Sequence, residues 1–111
     1  MAARHLDERR DLIEQRARTL AEAALRDNDQ WVRALGPRPG DRALRAQWDN
    51  AADTVAAYRD RYGIEDKRLL GRRPQAVDQR LDFARALAAI RRMETATPPV
   101  AGMHLGREIQ L

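Results

Sequence analysis

The sequence feature that most constrains the fold is a heptad seam in the middle of the chain. Six apolar or aromatic residues follow one another at spacings of 4, 3, 4, 3 and 4: Leu44, Trp48, Ala51, Val55, Tyr58 and Tyr62. That spacing places all of them on one face of an α-helix. Asp41 precedes the seam as a favourable N-cap residue, and Gly63 follows it as a favourable C′ residue. The pattern predicts a helix over residues 41–62 with a buried, partly aromatic face.

Two further helical patterns flank this segment. Residues 6–27 carry an apolar stripe that Asn28 can end. Its members are Leu6, Ile13, Ala17, Leu20 and Ala24. Residues 74–95 form the third pattern, because Pro74 suits a first helical turn. The apolar side of this third helix is predicted to comprise Val77, Leu81, Ala84, Leu87 or Ala88, and Ile90.

A connector and a tail complete the chain. Gly36–Gly40 contains two prolines and two glycines and cannot be helical. Gln30–Leu35 before it has room for one short turn that docks on the helices. We therefore expect an all-α fold, a small three-helix bundle with a Gly/Pro connector, forming a single domain over residues 1–95. Residues 96–111 show no clear period and are expected to be a loosely ordered, flexible tail.

The core of such a bundle is thin. Alanine supplies 20 of the 111 residues, against one Phe, two Trp and two Tyr. Apolar burial stabilises by roughly 25 cal/mol per Å², and alanine offers little area. We expect marginal stability or reliance on a partner.

The basic charge is concentrated in one part of the chain. The net charge is +4, and residues 64–92 carry eight basic and four acidic side chains, which equals the whole excess. Lys67 is the only lysine beside 20 arginines. This bias fits both a GC-rich genome and selection for phosphate-binding guanidinium groups. We predict a polyanion-binding surface here, the alternative being a solvated helix face neutralised by Asp78 and Asp82.

The candidate contact residues lie in the loop before the third helix, on that helix and in the connector. They are Lys67, Arg68, Arg72, Arg73, Arg80, Arg85, Arg91, Arg92 and Trp31. Trp31 has two interpretations: it caps the bundle, or it is an exposed anchor for a partner. Trp48, in contrast, lies on the seam and is expected in the core.

No constellation of catalytic residues is recognisable. The chain has no cysteine and no serine, and it has no phosphate-binding Walker motif. His5 and His104 stand at opposite ends without ligand spacing, so no metal site is expected. Tyr58 and Tyr62 resemble the paired tyrosines of DNA-nicking enzymes, but such chemistry needs a metal held by a histidine cluster. We expect both tyrosines to be core residues, with no enzyme activity and no cofactor.

The sequence also bears on location. The N-terminus is polar and charged, which is unlike a signal peptide, and no uncharged run is long enough to span a membrane. We expect a cytoplasmic protein without a membrane partner, and no small-molecule substrate is evident.

Several uncommon residues nevertheless follow one another in a familiar order. These are Trp31-Val-Arg-Ala-Leu-Gly-Pro-Arg-Pro-Gly-Asp, Arg45-Ala-Gln-Trp, Thr54-Val-Ala-Ala-Tyr-Arg-Asp-Arg-Tyr-Gly-Ile64 and Leu70-Gly-Arg-Arg-Pro74. Over residues 6–93 the chain resembles the C-terminal region of actinobacterial TraI/TrwC-type (MobF) conjugative relaxases. Members of that family nick and unwind plasmid DNA with other domains, whose motifs this sequence lacks, so the resemblance implies no catalytic residue here.

Two functional hypotheses follow. The first is a non-catalytic module of a conjugative relaxase system that contacts DNA, the relaxase or the transfer machinery. The second is a structural or oligomerising helical module, unrelated to DNA, whose thin core is completed by another copy or another chain.

Overall fold

The computed structural model describes the backbone of residues 2–96 and the side chains of residues 10–96. Four helices lie in this range: α1 Ala2–Asp27, α2 Gln30–Leu35, α3 Arg42–Tyr62 and α4 Val77–Ala96. No strand occurs among these residues. The prediction of an all-α fold is confirmed. Of the predicted tail only Ala96 is described, and it ends α4; residues 97–111 lie outside the described part of the chain.

The helix count and two helix starts differ from the predictions. Helix α1 begins at Ala2, four residues earlier than predicted. Gln30–Leu35 is a short helix that presents buried side chains to the core, so the segment before Gly36–Gly40 is more than a turn. The last helix begins at Val77, three residues later than predicted. Its first backbone hydrogen bond runs from the amide of Arg80 to the carbonyl of Ala76. Pro74 is compatible with a helix start but does not impose one, because the proline ring fixes only φ.

Helix α3 is the centre of the molecule. Helices α1 and α4 each pack along it, whereas they hardly touch one another. Two ion pairs, Arg16–Asp60 and Arg18–Asp53, show that α1 runs antiparallel to α3. A third side of α3 is covered by α2 and by the loop that precedes α4, through buried residues of both. They are Trp31, Val32, Leu35 and Leu70.

The local signals at the ends of α3 behave as predicted. A carboxylate oxygen of Asp41 accepts a hydrogen bond of 3.1 Å from the amide of Leu44. Gly63 adopts the left-handed conformation, with φ 60° and ψ 40°. Asn28, directly after α1, also has a positive φ of 55°. These three residues mark helix ends, and all three were predictable from the sequence.

The predicted seam forms the core. Trp48, Ala51, Val55 and Tyr58 are buried, and Tyr62 is half-buried against them. The indole N–H of Trp48 donates a 3.2 Å hydrogen bond to the carbonyl of Gly36 and so ties the connector to α3. Eight alanines are among the buried apolar residues, as a thin core requires.

Two predicted apolar faces are wrong in part. Ile13 on α1, and Val77, Leu81 and Ala84 on α4, are exposed. Ile13 lies close to the end of α3, because Arg16, one turn further, already pairs with Asp60. Helix α4 instead buries a face rotated from the predicted one; of the predicted residues, Ile90 is buried and Leu87, given as an alternative to Ala88, packs against the core. The residues that α4 turns inward are Phe83, Ala86, Leu87, Ala89, Ile90 and Met93.

Candidate nucleic-acid or partner interface

The loop between α3 and α4 carries the first group of predicted contact residues, and Arg59 holds this loop in place. The Arg59 guanidinium donates hydrogen bonds of 2.8–3.1 Å to three backbone carbonyls of the loop. They belong to Asp66, Arg68 and Leu69. Burial is the main cause that lowers the pKa of Arg59, with the Asp66 carboxylate opposing it. The loop is therefore pinned to α3 by one charged, half-buried side chain.

Arg59 also lies close to Trp31. Its guanidinium carbon lies 6.0 Å from the Trp31 ring centroid, at the limit of a cation–π contact. Trp31 is only 6% exposed and packs in the core with Val32 and Leu35. The interpretation of Trp31 as an exposed anchor is wrong, because α2 turns it inward. Trp31 caps the core and is therefore not part of the candidate contact surface.

Arg59 was not among the predicted residues, although the sequence holds a signal for it. Val55 and Ala56 lie four and three positions before it, and both are buried. An arginine at that spacing shares the helix face of two core residues. Its guanidinium must then find acceptors inside the fold, which here are the loop carbonyls.

The basic residues of the loop fall into two kinds. Arg68 forms a two-point ion pair with Asp66 at 2.8 and 3.1 Å and also donates its own amide to that carboxylate. These hydrogen bonds hold the pKa of Asp66 well below its usual range. Lys67, Arg72 and Arg73 are exposed and have no hydrogen bond or ion pair to any described residue. These three cations are available to a ligand, whereas Arg68 is already engaged.

Helix α4 carries the remaining predicted arginines. Arg80, Arg91 and Arg92 are exposed and unpaired within residues 10–96. Arg85 lies 3.7 Å from Asp82, one turn earlier. The alternative of local neutralisation thus holds for Arg85, while Asp78 has no ion-pair partner among the described residues.

Asp82 links α4 to the C-terminal end of α3. It accepts a 2.6 Å hydrogen bond from the Tyr62 hydroxyl and lies 3.2 Å from Arg61. The hydrogen bond to Asp82 is the main cause that raises the pKa of Tyr62. The Tyr58 hydroxyl accepts a 3.0 Å hydrogen bond from Gln79, and its ring centroid lies 4.9 Å from that of Tyr62. Both tyrosines pack between α3 and α4, and the prediction that they are core residues is confirmed for Tyr58 and in part for the half-buried Tyr62.

A groove of about 750 Å³ lies on the fourth, uncovered side of α3. Its floor is apolar and mostly small, with Ala17, Ala57 and Ala86 among the lining residues. Its rim carries the ion pairs Arg16–Asp60, Arg18–Asp53 and Arg61–Asp82. The rim is balanced in charge, so the groove itself does not attract a polyanion.

Other kinds of site find little support in the described residues. No group of three or more His, Asp or Glu side chains that could hold a metal lies among them. His5 and His104 fall outside the described side chains. None of the helices within residues 2–96 is long and apolar enough to cross a bilayer. What the described surface offers is a set of unpaired cations that can bind anionic groups without displacing a carboxylate.

Comparison with known proteins identifies no relative. No protein-family model, no curated protein and no solved structure matches this chain.

Proposed function

We propose that this chain is a non-catalytic helical module of a conjugative relaxase system, which contacts DNA or the transfer machinery through its basic loop and the exposed arginines of α4. The place in a relaxase system rests on the sequence resemblance over residues 6–93. The contact surface rests on one structural observation. Lys67, Arg72 and Arg73 stand unpaired on a loop that Arg59 and the buried Leu70 hold against α3.

Unpaired cations on a loop whose backbone is held in place favour phosphate binding. A phosphate that binds here does not have to break an ion pair, and the loop does not have to be ordered first. Unpaired arginines also occur elsewhere, at Arg26, Arg33 and Arg42, but these are spread over three elements. The proposal includes a cytoplasmic location, no cofactor, and a single bundle of the three long helices.

The test is a titration of fluorescently labelled single-stranded and duplex oligonucleotides at two salt concentrations. The variant K67Q/R72Q/R73Q removes the three loop cations, and R26Q/R33Q/R42Q removes three exposed arginines elsewhere as the matched control. For duplex DNA, the dependence of log K on log salt should become shallower by about 0.9 per lost phosphate contact in the loop variant. We expect the control to change affinity and slope less.

Two results would contradict the proposal in its DNA form. One is the absence of binding at low salt. The other is equal loss of affinity in the loop variant and in the control, which would mean that net charge alone drives association. Binding to a relaxase or transfer protein instead of DNA would be measured with the same two variants.

The second candidate function, a structural or oligomerising module, is favoured by a separate observation. Val77 and Leu81 are large apolar residues at 64% and 55% exposure on the outward side of α4. Exposed apolar residues at helical spacing are typical of a face that another helix covers.

A further inference from the structure

Helix α4 has a second apolar face, directed away from the core. Val77, Leu81, Ala84 and Ala88 follow one another at spacings of 4, 3 and 4, which is the spacing of a helix-pairing seam. The first three are exposed and Ala88 is half-buried. The sequence pattern that predicted a core-facing stripe is therefore present, but the fold leaves it without a partner in the described part of the chain.

Four charged residues flank this outward seam in a particular order. Asp78 and Arg80 lie at the start of α4, and Arg92 and Glu94 lie near its end. All four are exposed, and none forms an ion pair with a described residue. On either side of the seam, the charge at the start of the helix is opposite to the charge near its end: Asp78 and Arg92 on one side, Arg80 and Glu94 on the other.

We propose that α4 pairs with α4 of a second copy of this chain, in antiparallel orientation, through this outward face. A two-fold axis near the middle of the seam brings Asp78 opposite Arg92 of the second copy and Arg80 opposite its Glu94. Because the axis repeats each contact, the pairing closes four ion pairs that are open in a single copy. This inference elaborates the second candidate function and does not depend on DNA contact.

The seam itself suits close approach of the two helices. Ala84 faces Ala88 of the second copy on both sides of the axis, and two small residues in contact allow helix axes about 8 Å apart. Leu81 lies opposite Arg91, whose aliphatic stem can cover it while the guanidinium stays in water. Near the axis, Arg85 of one copy approaches Arg85 of the other. Asp82 lies 3.7 Å from Arg85 on the same helix and reduces the repulsion between the two guanidinium groups.

The charge order selects this occupant over others. In a parallel pair each flank of one helix meets the opposite flank of the other, so Arg80 would lie beside Arg85 of the second copy, twice over, which is unfavourable. A nucleic acid on the same face would meet Asp78 and Glu94 as well as the arginines. The loop cations Lys67, Arg72 and Arg73 are not part of the seam, so phosphate contact through the loop and pairing through α4 are compatible.

The pairing should be weak and reversible. Helix α4 has 20 residues, which is about 30 Å of helix at 1.5 Å per residue. One such helix pair buries less than a standard interface of about 1,600 Å². We therefore expect a monomer–dimer equilibrium that depends on protein concentration.

Sedimentation over about a hundredfold range of concentration, on nuclease-treated protein, measures this equilibrium. The wild type should change from monomer toward dimer. R80E and E94R should each shift the equilibrium toward monomer, because each places like charges opposite one another. The double variant R80E/E94R should restore the dimer, since each copy again offers opposite charges at the two positions. R33E, at an exposed position of α2, is the matched control and should leave the equilibrium near that of the wild type.

Three outcomes overturn the proposal. They are a monomer at every concentration, a dimer that neither single variant weakens, and a double variant that stays monomeric. Circular dichroism of each variant checks the fold, and since all the substituted residues are exposed, the helix content should not change. Ala84→Glu provides a second test in the middle of the seam: it should prevent pairing both in the wild type and in the R80E/E94R variant.

Discussion

At the scale of single residues, the arginines differ sharply in what they do. Arg59 is half-buried and donates to three loop carbonyls, while Arg72 and Arg73 are exposed and unpaired. The sequence shows only that arginine is abundant. Which arginine is structural depends on the direction its side chain takes from its helix and on the acceptors that it meets there.

We predict that Arg59→Lys destabilises the fold although it keeps the charge. A lysine ammonium cannot reproduce the planar fork that reaches three carbonyls, and hydrogen bonds to charged groups contribute about 1.5–3 kcal/mol each when lost from a buried site. Because Arg59 is only half-buried, we expect a total loss of about 1–3 kcal/mol. Urea unfolding followed by tryptophan fluorescence measures it. Arg42→Lys, at an exposed and unpaired position, is the control, and an equal loss there would contradict the structural role of Arg59.

A second residue-scale prediction concerns the Tyr62–Asp82 hydrogen bond. Its formation raises the pKa of Tyr62 above the value in the unfolded chain, so the bond stabilises the fold below that unfolded pKa. The contribution is lost as the pH rises through the folded pKa. Asp82→Asn should therefore lower the pKa of Tyr62 toward its ordinary value. Titration of tyrosinate absorbance in a Tyr58→Phe background isolates Tyr62, and an unchanged midpoint in Asp82→Asn would show that the bond does not form in solution.

At the scale of elements, α3 and α4 show what local sequence can predict. Helix α3 has one apolar face, a capping aspartate and a terminal glycine, and its predicted span of 41–62 matches the observed Arg42–Tyr62. Helix α4 has apolar residues on two faces, so periodicity alone could not decide which face turns inward. The contacts of Phe83 and Asp82 with the two tyrosines of α3 decide it, and those are tertiary.

The cap of α3 gives an element-scale prediction. Asp41→Ala removes the side-chain acceptor for the Leu44 amide and should cost about 1 kcal/mol of stability. Asp41→Asn keeps an acceptor oxygen and should cost less. Thermal unfolding by circular dichroism compares the two variants. Equal destabilisation would mean that the negative charge, rather than the hydrogen bond, is what matters at this helix end.

At the scale of the whole molecule, the distribution of charge was predictable and its pairing was not. The excess of positive charge in residues 64–92 follows from counting residues. That Arg68 is engaged by Asp66, while Lys67 beside it is unpaired, depends on how the loop folds under Arg59. The burial of Trp31 likewise required the structure, because six residues of α2 are too few for periodicity to show an inward face.

The packing of α4 on α3 gives the last prediction, which tests the thin core directly. Ala86 is 0% exposed, lies on the inward face of α4 and lines the floor of the groove over α3. Ala86→Leu adds three carbon atoms to a side chain that is fully buried between the helices and should cost about 1–3 kcal/mol through overpacking. Ala46→Leu, at an exposed position of α3, should be nearly neutral. Urea unfolding followed by the buried Trp31 and Trp48 measures both variants. A stabilised Ala86→Leu would show that the groove can open to accept the larger side chain, and that alanine is not what sets the distance between the two helices.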